Sequence, residues 1–63
     1  MNIDPKKTYV IVNVDEPDDR TFWCNGEGWV DYECADIFFG HEIIEKDYRL
    51  PMGGGWIDVS TFT

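Results

Sequence analysis

The fold turns on Ala35-Asp36-Ile37-Phe38-Phe39-Gly40-His41-Glu42-Ile43-Ile44-Glu45-Lys46-Asp47-Tyr48, with Asp31-Tyr32-Glu33-Cys34 leading into it. Two readings compete for it. In the first, Asp31 caps a helix in which Cys34, Ala35 and Phe38 recur at helical spacing. In the second, Ala35 to Phe39 is a strand with Ala35, Ile37 and Phe39 facing inward, and a helical turn begins near Gly40. The β-branched and aromatic weight of the segment, and the glycine at its centre, favour the strand. Under either reading, Ile44 and Tyr48 lie four apart and form the apolar edge of a short helix. Leu50-Pro51 ends that helix, because the residue before proline avoids the α region.

Upstream, Thr8-Tyr9-Val10-Ile11-Val12-Asn13-Val14 is the clearest strand signal. Thr8, Val10, Val12 and Val14 share one face, while Tyr9, Ile11 and Asn13 share the other. Apolar side chains on both faces predict a central strand. Pro17 and the surrounding acids end it in a turn. Arg20 to Cys24 reads as the return strand of a hairpin, Asn25-Gly26 with Gly28 as the next turn, and Trp29-Val30 as a short bridge or strand fragment. Downstream, Met52-Gly53-Gly54-Gly55 is a turn and Trp56 to Phe62 a half-buried final strand. The expected architecture is a single α+β domain over residues 1–63. It has a three- to four-stranded, mainly antiparallel sheet and one short helix, with residues 1–6 loose.

Composition constrains function more than any motif does. Thirteen Asp plus Glu against five Lys plus Arg give a formal charge of −8. With 43% hydrophobic residues, three Trp, three Tyr and four Phe, the chain has the means to fold, unlike disordered acidic chains. A polyanion does not bind nucleic acid by neutralising phosphates. No apolar run is long enough to span a membrane. Residues 1–7 do not read as a secretory signal, so a cytoplasmic location is expected.

The chemical motifs are weak. Nine residues separate Cys24 from Cys34 and six separate Cys34 from His41, spacings unlike those of structural zinc ligands. The two cysteines read as small hydrophobes in a reducing compartment. A Cys–His nucleophile needs an oxyanion hole and a cleft, yet a domain this small buries only about 60% of its unfolded surface. Counting Asp15 as the first position of a calcium loop puts Arg20 where glycine is required. Gly53-Gly54-Gly55 lacks the lysine and the following helix of a phosphate loop. Neither an enzyme nor a cofactor or metal site is therefore expected.

Charge and aromatics remain. The acids fall into three groups: Asp15, Glu16, Asp18 and Asp19; Asp31, Glu33 and Asp36; and Glu42, Glu45 and Asp47. Such a surface accelerates encounter with basic partners. Trp29, Tyr32 and Tyr48 are the candidate anchors for a desolvated contact, whereas Trp23 and Trp56 are assigned to the core.

The segment Phe22-Trp23-Cys24-Asn25-Gly26-Glu27-Gly28-Trp29-Val30-Asp31, followed by Ala35-x-x-Phe38, Leu50-Pro51-x-Gly53-Gly54 and Trp56, resembles a pattern of small bacterial and phage-borne proteins. The likeness spans about residues 8–59. It implies a hairpin, a strand at 35–39, a short acidic helix and a closing strand, and it transfers no catalytic residue. By size and acidity the chain is also similar to phage anti-CRISPR and anti-restriction inhibitors, several of which present acids where DNA phosphates would sit. That resemblance implies a non-enzymatic inhibitor binding the basic surface of a host protein or ribonucleoprotein complex. The alternative expectation is a structural module that self-associates, as a homodimer, through sheet edges such as strand 56–62.

Overall fold

The computed structural model describes residues 3–16, 18 and 20–62. Expectations resting on Met1, Asn2, Pro17 and Asp19 fall outside the described residues. Strand β1, Thr8–Asn13, organises everything else. It pairs antiparallel with β5 (Gly54–Asp58) along one edge. Its other edge is shared by β2 (Phe22–Cys24) near Val12 and β4 (Phe38–Phe39) near Thr8 and Tyr9. Strand β3, Gly28–Val30, completes the hairpin with β2. The result is a five-stranded antiparallel sheet with one short helix, α1, Gly40–Glu45. The α+β expectation holds. The fifth strand is the segment around Trp29-Val30, read from sequence as a fragment.

The central position of β1 follows from its composition. Tyr9, Val10 and Ile11 are buried as three consecutive residues, which requires cover on both faces of the pleat. Register assigns the faces. Tyr9 stands opposite Phe38 and Ile11 opposite Trp56 on the first face; Val10 stands opposite Ile57 and Val12 opposite Phe22 on the second.

On the first face, the Phe38 and Tyr48 rings lie 4.9 Å apart, and Trp56 packs against both in edge-on geometry. On the second face, the Phe22 ring meets Tyr32 at 5.3 Å and Phe62 at 5.4 Å. Those two rings are carried by short 3-10 turns, Tyr32–Cys34 and Val59–Phe62. The final strand therefore ends at Asp58 instead of Phe62, and its last residues fold under the sheet. The buried hydrophobic core is Tyr9, Val10, Ile11, Phe22 and Ile43. Trp23 and Trp56, expected in the core, are half-buried at its margin.

The deciding segment follows neither reading throughout. Residues 32–34 form a 3-10 turn and only Phe38 and Phe39 are strand. The inward phase is also opposite to expectation. Phe38 packs in, while Ile37 and Phe39 are 46% and 49% exposed, because Phe38 must share the face of its partner Tyr9. The helix does begin at Gly40. A Cβ there would collide with the carbonyl oxygen of Asp4, and the Gly40 N–H donates to the Lys7 carbonyl at 2.8 Å. Residues 4–7 are held in return. The Asp4 N–H donates to the Tyr9 hydroxyl at 2.8 Å and the Lys7 N–H to the Asp4 carbonyl at 3.1 Å.

Gly40 and Ile43, three apart, face inward; Ile44 is 54% exposed. The helix closes well before Leu50-Pro51. The Tyr48 N–H bonds to the Ile43 carbonyl at 3.0 Å and the Asp47 N–H to that of Ile44 at 3.3 Å, with Asp47 at φ 49°. This is the Schellman arrangement, with aspartate in the position glycine usually holds. It swings Tyr48 off the helix and back across the first face.

Candidate functional site

The first face carries a cleft of about 250 Å3 between the β2–β3 turn and α1, lined by Asn25, Asp36, Ile37, Phe38, Glu42, Ile43, Lys46 and Tyr48. Its geometry depends on Asn25. The backbone N–H of Asn25 donates to Asp36 Oδ2 at 2.8 Å. Its side-chain oxygen accepts from Trp23 Nε1–H at 2.9 Å and from the Tyr48 hydroxyl at 2.7 Å. One turn residue thus ties the hairpin, the approach to β4 and the end of the helix together. The turn itself is closed by the Glu27 N–H donating to the Cys24 carbonyl at 3.2 Å, with Gly28 at φ 89°.

Of the sequence candidates, the structure gathers three here: Asp36, Glu42 and Tyr48. Asp36 is half-buried and Glu42 exposed. Glu42 Oε2 lies 3.9 Å from Lys46 Nζ, one helical turn on, a loose pair of small energetic weight. The remaining acids do not join the cleft. Asp15, Glu16 and Asp18 are exposed on the β1–β2 connection, where the Asp15 N–H donates to Asn13 Oδ1 at 3.0 Å. Asp31 and Glu33 are exposed around the first 3-10 turn, and Glu45 and Asp47 at the helix end. Asp19 lies outside the described residues.

The aromatic candidates are engaged internally. Trp29 packs edge-on against Trp23 at 5.2 Å, and Tyr32 lies 4.9 Å from Phe62. All three are half-buried, so each offers only part of its surface. Asn25 is the residue that sequence reasoning treated as a turn former alone. Its asparagine-glycine signal was visible, but its partners lie 11 and 23 residues away.

Other hollows lie elsewhere among the described residues. One of about 240 Å3 runs along Val12, Val14 and Ile57 beneath Arg20 and holds no carboxylate. Another, near Lys6 and Lys7, includes Asp58, whose Oδ2 is 3.3 Å from Lys7 Nζ. The Ser60 N–H donates to Asp58 Oδ1 at 2.9 Å. That bond first, then the Ser60 hydroxyl and Lys7, hold the Asp58 carboxyl below its usual range. Cys24 is half-buried and Cys34 exposed, both as free thiols. The exposed Cys34 departs from the small-hydrophobe expectation. Among the described residues, no three His, Cys, Asp or Glu side chains converge as a metal site, and no helix is long and apolar enough to cross a membrane.

Comparison of the chain with protein-family models, with curated proteins and with solved structures finds no match. The resemblance drawn over residues 8–59 rests on those residues alone.

Proposed function

We propose that the chain is a non-enzymatic acidic binding protein that engages the basic surface of a nucleic-acid-binding host complex, acting as an inhibitor of the anti-CRISPR or anti-restriction type from a phage or mobile element. One observation carries this reading. Among the described residues, ion pairs occupy only Asp58 and Glu42, so most carboxylates of a chain with formal charge −8 face outward without an internal counter-charge. At physiological salt exposed charges act over about one Debye length, about 8 Å, so on a body measuring 29 × 24 × 20 Å each acidic group presents its own local field to a basic partner in contact with it.

The test is calorimetric titration with an arginine-rich peptide at 0.1 M and 1 M salt, paired with competition against duplex DNA for a DNA-binding protein. Affinity is expected to fall by at least about tenfold at the higher salt, as exposed charges are screened, and DNA is expected to be displaced. Binding indifferent to salt would overturn the reading.

Self-association has one observation in its favour: among the described residues, β5 pairs only with β1 and leaves its outer edge open. The edge is shorter than sequence suggested, since Val59–Phe62 turns under the sheet. Sedimentation at micromolar concentration separates the two, a tight dimer without affinity for basic peptides favouring edge pairing.

A further inference from the structure

We infer that the cleft between Asn25 and α1 seats a single arginine side chain, a proposal that rests on the reading of the partner as basic. Its volume of about 250 Å3 falls below the roughly 300–1,000 Å3 of pockets that enclose whole small ligands. That size suits one side chain. The lining is two-natured. Ile43, 6% exposed, lies with Phe38 and the Tyr48 ring on the apolar side, while Asp36 and Glu42 supply negative charge. Arginine matches this division, since its methylene stem packs on apolar surface and its planar guanidinium both stacks on rings and donates to carboxylates.

Asp36 is prepared for that role. Its Oδ2 is fixed by the Asn25 N–H at 2.8 Å, and Asn25 is fixed in turn by Trp23 and Tyr48, so the carboxylate loses little freedom on accepting a second donor. Lys46 already places a cation 3.9 Å from Glu42. That pair is loose and exposed, and the incoming guanidinium displaces it. Neither other hollow combines these features: one has no carboxylate, and in the other Lys7 engages Asp58.

The experiment is an NMR titration of the whole chain with N-acetyl-arginine methylamide, using the uncharged citrulline analogue and the lysine analogue as comparisons. Resonances of Asn25, Asp36 and Glu42 are expected to shift along one saturating curve. Asp36→Asn, which keeps an oxygen for the Asn25 N–H, is expected to weaken binding about tenfold, in line with loss of one charged hydrogen bond. Lys46→Gln is expected to tighten it. Equal shifts at Asp15 and Glu33, or citrulline or lysine binding as well as arginine, would overturn the inference. The two readings fail separately. Salt-sensitive binding of an arginine-rich peptide with no response in the cleft removes only the cleft. Cleft shifts with a peptide that binds no better than the single amino-acid derivative remove only the basic partner.

Discussion

The two faces of the sheet are covered by similar materials to different effect. On the second face, the Phe22, Tyr32 and Phe62 rings pack on one another with centroids 4.9 to 5.4 Å apart. On the first, the Phe38, Tyr48 and Trp56 rings pack together, and the Asn25 side-chain oxygen accepts from the Tyr48 hydroxyl and from the nearby Trp23 indole N–H. Ring spacings are alike on the two faces; the difference is that the Tyr48 hydroxyl is pinned to the Asn25 side chain at the margin of the cleft. The ring cluster of the second face thus serves cohesion, while that of the first lies open along the cleft; a hollow along Val12, Val14 and Ile57 marks the second face as well.

Breaking the cohesive face should cost most. Phe22→Ala is expected to lose about 3–5 kcal/mol, enough to unfold a domain at the lower end of normal stability, as urea denaturation would show. Phe38→Ala on the open face should cost clearly less, because that ring is only half-buried; equal losses would erase the distinction between the faces. Gly40→Ala comes next, at about 1–3 kcal/mol for overpacking, because the new methyl would meet the Asp4 carbonyl.

Asn25→Ala sharpens the comparison. It strips the acceptor from Trp23 and Tyr48 and should cost about 1–2 kcal/mol. Tyr48 ring resonances should broaden while those of Phe62 stay unchanged. Asp47→Gly acts in the opposite sense. Relieving a positive-φ residue should gain up to about 1 kcal/mol, read as a raised midpoint in the same denaturation.

The smallest effect is one of pH. Asp58 has a lowered carboxyl pKa, so its contribution is present above the ordinary carboxylate range and is lost as pH falls through the depressed value. Stability measured from pH 5 downward should fall less steeply in Asp58→Asn than in the parent. The difference will be slight, since this carboxylate is solvent-accessible.

What the sequence made legible was local. Alternation of apolar side chains on both faces of Thr8–Asn13 announced the central strand, and Gly40 announced the switch from strand to helix. What escaped it was phase. Whether Phe38 or Phe39 turns inward depends on its register against Tyr9, about thirty residues upstream in the same chain. Whether Ile43 or Ile44 is buried depends on where a six-residue helix starts, and the carbonyl of Asp4 sets that. The acids were readable as surface residues. That Asp36 and Glu42 share a hollow with Tyr48 was not, because the Asn25 bonds that tie Asp36 to Tyr48 are invisible to any short window.

Strand β1 also shapes the time course of folding. It is synthesised before β5, with which it makes its longest pairing, five residues in register. Sequence separation of this kind slows the search, and a nascent chain cannot complete the sheet until residue 58 has cleared the ribosomal tunnel. Until then Tyr9, Val10 and Ile11 lack half their cover, and an emerging copy is most vulnerable to proteases and to sticking to its neighbours during that interval.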